Sequence, residues 1–193
     1  MKKLISVFLF SSFLSAYAQT ITTKVETSNF NETPTYFEII NWWKKLDKIS
    51  HKVSLIEKGS TDAGFPLHLV MVNNKGLSDI RKIKQENQRI IFINNGIHPG
   101  EPDGIDASML LARDIVSGKI KLPDNITLAI IPVYNIGGCL NRSEYYRVDQ
   151  NGPHAFGFRG NSQNYDLNRD FIKGDSREAK TFTQIFHWLQ PDI

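Results

Sequence analysis

Arg89-Ile90-Ile91-Phe92-Ile93-Asn94-Asn95-Gly96-Ile97-His98-Pro99-Gly100-Glu101 joins a framework element to a pair of chemically capable side chains. Its first five residues form a short, β-rich apolar run, the pattern of a strand covered on both faces. The polar, glycine-containing stretch that follows ends the strand and carries His98 and Glu101, three residues apart. On a turn or a first helical turn, that spacing points both side chains the same way. A neutral imidazole nitrogen and a carboxylate oxygen are ordinary zinc ligands, so the pair is a candidate metal site. Taken alone the spacing is weak, because a His-x-x-acid match arises by chance in many chains. The competing reading is a carboxylate stabilised by a helix dipole beside a solvated histidine.

The flanking sequence places this strand in a layered fold. Thr33-Pro34 supplies an N-cap and a first-turn proline, and Phe37, Ile40, Trp43 and Leu46 recur at helical spacing. That predicts an amphipathic helix to about residue 50. Val53-Ser54-Leu55-Ile56 and Leu67-His68-Leu69-Val70-Met71-Val72 read as strands, with a Gly/Asp/Pro hairpin connection over 59–66. Helical spacing returns at Ile105, Met109, Ala112 and Ile115, and Gly118 closes that helix. Residues 126–133 read as another buried strand and 175–189 as another helix. Strands alternating with helices predict an α/β fold, with a mixed, mostly parallel sheet flanked by helices. Residues 34–193 are assigned to this domain. Residues 19–33, rich in Thr, Ser, Asn and Glu, are assigned to an extended leader.

A second polar stretch, Tyr165-Asp166-Leu167-Asn168-Arg169-Asp170-Phe171, sets an amide beside a guanidinium. Such a pair is suited to gripping a carboxylate by several hydrogen bonds. In open α/β sheets ligands gather beyond the carboxyl ends of the strands. His98 and Glu101 follow the strand at 89–93, and the irregular segment 135–171 follows the strand at 126–133. The topology therefore brings both stretches to one sheet edge. A metal that activates water, together with a carboxylate clamp, suggests hydrolysis of a substrate with a free acid end.

His98-Pro99-Gly100-Glu101 and Asp166-Leu167-Asn168-Arg169 resemble the signatures of the zinc carboxypeptidase (metallocarboxypeptidase) family. Gly157-Phe158-Arg159-Gly160-Asn161 resembles the family segment carrying an arginine that steadies the substrate carbonyl. The similarity covers roughly residues 53–193, the amino-terminal part of a catalytic domain. It implies Zn²⁺ as cofactor, held by His98 and Glu101. It implies Arg159 as the catalytic donor to the developing oxyanion, and Asn168 and Arg169 as the grip on the substrate's terminal carboxylate. Asp166 would hydrogen-bond the far nitrogen of His98 and fix its tautomer.

The resemblance also implies a third ligand, a histidine closing the next core strand, and a catalytic glutamate beyond it. Gln190-Pro191-Asp192-Ile193 looks like the start of that strand. Catalytic zinc needs three protein ligands and an open fourth position. These residues alone are therefore expected to be inactive, with His154 the least implausible substitute ligand. One departure is Asn135-Ile136-Gly137-Gly138, which stands where many relatives carry Asn-Pro-Asp-Gly. Tyr145, Tyr146 and Arg147 either line the approach or cover the sheet edge.

Composition and charge bound the setting. Lys2 and Lys3 precede an apolar run over 4–14, and Ala16-Tyr17-Ala18 places small residues at a cleavage position. Residues 1–18 thus read as a signal peptide, implying a secreted or periplasmic protein without stable membrane insertion. Removing it takes two of the 23 basic residues and leaves 21 against 20 acidic ones, a net charge of +1. That balance gives no support for nucleic-acid binding. Cys139 is the only cysteine, so no internal disulfide forms, and the residue reads as a buried hydrophobe. The expected function is zinc-dependent removal of carboxyl-terminal residues from peptides or proteins. The alternatives are an N-acyl amino acid deacylase akin to the aspartoacylase branch, or a metal-free module binding peptide carboxyl termini.

Overall fold

The protein is described by a computed structural model over residues 21–193, so the expected signal peptide lies outside the described residues. The helices are α1 (Lys24–Thr27), α2 (Tyr36–Ile49), α3 (Ile80–Gln85), α4 (Asp103–Val116), α5 (Ile136–Leu140) and α6 (Arg177–Leu189). The strands are β1 (Val53–Ser60), β2 (Pro66–Val72), β3 (Arg89–Asn94), β4 (Ile126–Ile131), β5 (Arg142–Ser143) and β6 (Phe156–Gly157).

Thr35, rather than Thr33, caps α2. Its hydroxyl accepts from the Glu38 N–H while the Glu38 carboxylate reaches back to the Thr35 backbone, a reciprocal capping box. The helix buries Ile39, Ile40, Trp42, Trp43 and Leu46. Fully burying side chains of this kind contributes roughly 1.5–3 kcal/mol each. Thr33 is used differently, donating its hydroxyl hydrogen to buried Asp106 on α4 at 2.9 Å.

The expected extended leader is therefore corrected in part. Residues 24–27 form a helical turn, and the segment docks on the domain through polar contacts. Trp42 Nε1 donates to the Thr22 carbonyl, and Arg113 on α4 pairs with Glu26 at 2.6 Å. Sequence composition showed the segment's polarity but not these long-range partners.

The main sheet runs β1-β2-β4-β3. β1 and β2 form the expected hairpin, β2 pairs antiparallel with β4, and β4 pairs parallel with β3. The sheet is mixed as expected, with its parallel pairing among the described strands confined to β3–β4. Leu67 to Val72 and Thr127 to Ile131 are buried along their length, as strands between two helical layers must be. On the free edge of β3, the Asp192 N–H donates to the Ile90 carbonyl and the Phe92 N–H to the Ile193 carbonyl. Asp192 and Ile193 thus pair along β3. No helix among the described residues is long and apolar enough to cross a membrane.

Candidate metal and carboxylate-binding site

The segments leaving β3 and β4 stay together beyond the strands proper. Asn95 donates from its backbone to the Ile131 carbonyl, Tyr134 to Asn95, and Asn135 to Gly96. Gly96 adopts φ +67°, a conformation that L side chains rarely tolerate, and this turns the chain toward His98. A backbone bond from Glu101 N–H to the His98 carbonyl at 2.9 Å closes the next turn. Both side chains consequently face one point, with His98 Nδ1 3.7 Å from Glu101 Oε1.

Asp166 completes the frame from the other stretch. Its Oδ1 lies 2.9 Å from His98 Nε2, while Oδ2 accepts from Arg159 Nε at 3.0 Å and Nη2 at 2.9 Å. An ionised carboxylate only accepts, so this contact assigns a proton to Nε2 and leaves Nδ1 as the ring nitrogen facing Glu101. Partial burial acts to raise the Asp166 carboxyl. The hydrogen bonds from His98 and Arg159 outweigh it and hold the group down at about 2.

Two ligands about 2.0–2.1 Å from a tetrahedral zinc ion stand roughly 3.3–3.4 Å apart, and His98 Nδ1 and Glu101 Oε1, at 3.7 Å, stand slightly wider than that. The donor set therefore fits half of a zinc site. Among the described residues, no three His, Cys, Asp or Glu side chains gather to hold a metal. His154 is exposed, with its backbone tied to Asn31, and His68 is buried in β2, so neither joins the pair. Arg147 does join it. Its Nη2 lies 2.8 Å from Glu101 Oε1, an ion pair without hydrogen-bond alignment, so it covers the carboxylate rather than merely the sheet edge. Tyr145 is exposed, and Tyr146 donates its hydroxyl hydrogen to Asn141.

The remaining expected residues fall close by with different engagements. Arg159 is bound to Asp166 rather than held free for a substrate oxygen. Asn168 and Arg169 lie on a single 3₁₀ turn, Leu167–Arg169, capped by Asp166, and both are exposed. The Asn135 amide ties the two halves of the site together. Its Nδ2 donates to the carbonyls of Ile97 and Arg159, and its Oδ1 accepts from the Gly138 N–H. The expected departure at Ile136-Gly137-Gly138 thus appears as a short helix whose glycines let the Arg159 segment approach. A Cβ on Gly138 would sit 2.3 Å from the Phe158 carbonyl oxygen. Missed in the sequence were Asp62 and Glu178, whose carboxyls receive the side-chain amide of Asn161 in the Arg159–Asp166 segment.

Known proteins resemble the chain in sequence and in fold. Over 148 residues the chain is 30% identical to the inactive metallocarboxypeptidase ecm14 of Schizosaccharomyces pombe, covering 64% of this chain and 30% of that one. Its fold is similar to that of a metallo-carboxypeptidase from Burkholderia cenocepacia, with TM-score 0.61 at 16% identity, covering 82% and 39% of the two chains. It is similar also to bovine thrombin-activatable fibrinolysis inhibitor, solved in complex with tick carboxypeptidase inhibitor, with TM-score 0.60 at 17% identity, covering 82% and 57%. The chain thus spans about a third to just over half of the length of these relatives. The family model described as zinc carboxypeptidase matches residues 39–187, and the chain belongs to that family.

Proposed function

We propose that these residues are part of a zinc-dependent metallocarboxypeptidase that removes carboxyl-terminal residues from peptides or proteins after export. The observation that carries this reading is the Asp166–His98–Glu101 array, in which one carboxylate fixes the imidazole and the other faces its second ring nitrogen. His98 and Glu101 would hold the ion, which when bound supplies Lewis acidity and acidifies water. Asn168 and Arg169 bind the substrate's free carboxylate, with the planar guanidinium as the fork. Arg159 keeps the Asp166 carboxylate ionised. On substrate binding it shares its donors with the scissile carbonyl oxygen as charge develops there.

A second reading, a peptide carboxyl-terminus binder without catalysis, is favoured by two observations. The relative from Schizosaccharomyces pombe is an inactive metallocarboxypeptidase, and Glu101 here is engaged by Arg147. Isothermal titration with a blocked dipeptide, its carboxyl-terminal amide and a chelator separates the readings. Zinc-dependent binding of the acid, lost with the amide and on Arg169→Ala, supports the peptidase. Identical curves with and without chelator support the binder, and equal binding of acid and amide contradicts both.

A further inference from the structure

The fully buried carboxyl of Glu178, in the first turn of α6, has no role in the chemistry above. A buried acid is retained only where partners offset the loss of water. Its Oε2 lies 3.3 Å from Asn161 Nδ2, and the same amide nitrogen lies 3.2 Å from Oδ2 of Asp62, in the β1–β2 connection. One NH₂ group thus donates one hydrogen to each of two carboxyls. The Asn161 Oδ1 accepts from the backbone N–H groups of Gln163 and Tyr165, both at 2.9 Å, which fixes the amide's orientation. Its own N–H donates to the Tyr165 carbonyl. Asn161 is therefore the hub of the loop that begins at Arg159 and ends at Asp166, the residue that orients His98.

A carboxyl this buried, beside a second carboxyl, ionises only at a large cost. Burial, then the charge of Asp62, pushes Glu178 up to about 7, against its own backbone N–H. The other charged or titratable groups facing the pair are few. Arg177 Nε is 3.7 Å from Asp62 Oδ1 and largely exposed, and the Arg177 backbone N–H donates to Asp62 Oδ2. The Tyr134 phenol, itself buried without a partner, faces Glu178 and Asp170, and Asp170 is saturated by Ser176 and Asp175.

We propose that Glu178, which with Asp62 receives the Asn161 side-chain amide, is a positioning residue for this site. It holds Asn161, and through Asn161 the Arg159–Asp166 segment that fixes the His98 imidazole. This rests on His98 being the functional group of the site, and it adds a residue that acts through two others without touching metal or substrate.

The test is amide hydrogen exchange of Gln163 and Tyr165 on the full chain, corrected for intrinsic rates, with the His98 ring-nitrogen shifts recorded on the same samples. In the unaltered protein, protection of both amides is expected to hold below about pH 6 and fall at least about fivefold by about pH 8.5. Glu178→Gln, which keeps an acceptor and a donor in place, should give pH-independent protection and a His98 signature of one fixed tautomer. Glu178→Ala should lose protection at every pH and let the His98 tautomers average. Flat protection in the unaltered protein, or a Glu178→Gln profile that still falls with pH, overturns the proposal. That comparison stands even if Glu178→Ala does not fold. Zinc titration of His98→Ala, run alongside, isolates failure of the carboxypeptidase reading, because the exchange result does not depend on metal.

Discussion

Asp166 divides its carboxylate between His98 Nε2, at 2.9 Å from Oδ1, and the Arg159 guanidinium, at 2.9 and 3.0 Å from Oδ2. One side chain thereby couples the two stretches that follow β3 and β4, and sets which imidazole nitrogen faces Glu101. Burial opposes its charge, and the His98 and Arg159 hydrogen bonds bring the group down to about 2 from an ordinary 3.8. A depressed folded value stabilises the fold above the ordinary value, and that contribution is lost as pH falls through about 2. Asp166→Asn should therefore cost on the order of 1–2 kcal/mol at neutral pH, with the difference shrinking toward zero near the acid limit. Urea unfolding across a pH series checks this, and coincident midpoints at pH 7 would count against it. Metal affinity should fall about 10- to 100-fold in the same variant.

Asp106 shifts the other way. Burial raises its carboxyl to about 6 against the Thr33 hydrogen bond, and its Oδ1 has no partner. A raised folded value favours the neutral form in the fold. Its stabilising contribution is complete below the ordinary carboxylate range and is lost as pH rises through about 6. Asp106→Asn, neutral and able to accept from Thr33, should stabilise the protein at pH 7.5 on the order of 1–3 kcal/mol and leave it unchanged near pH 4. Thermal melts at the two pH values decide the matter, and destabilisation at both would refute the assignment.

Gly138 lies where three backbone and side-chain groups converge. An added Cβ would meet the Phe158 carbonyl oxygen at 2.3 Å, Asn135 Nδ2 at 2.7 Å and the Gly160 carbonyl oxygen at 2.9 Å. Two of these are backbone atoms that cannot rotate away. Gly138→Ala should cost about 1–3 kcal/mol and displace Arg159 from Asp166. A crystal structure of the variant with the Arg159–Asp166 pair intact would show that the loop absorbs the methyl group.

The local parts of this site were legible in the sequence, and the long-range parts were not. The apolar run 89–93 and the polar turn behind it announce a strand end, and β3 with the His98–Glu101 turn follows. Two threonines flank Pro34, so Thr33 competes with Thr35 as the α2 cap in the sequence. Glu38, three residues after Thr35, distinguishes them through the capping box. Helix α3 buries only Ile80 and Ile83, too few positions to show a periodicity in the sequence. Asp62, Asn161 and Glu178 come from three separate segments, the first two 99 positions apart in sequence. No local spacing joins them. Arg147 lies in an irregular segment with no period of its own, so only the fold shows that it reaches Glu101.

The central claim is that His98 Nδ1 and Glu101 hold zinc, and competitive titration against a chromophoric chelator tests it most directly. The account predicts one zinc per chain, bound orders of magnitude more weakly than by a complete three-ligand site, since each missing strong ligand removes several kcal/mol. It predicts that His98→Ala abolishes this binding while His154→Ala leaves it unchanged. Tight zinc binding that survives His98→Ala, or that His154→Ala releases, would contradict it.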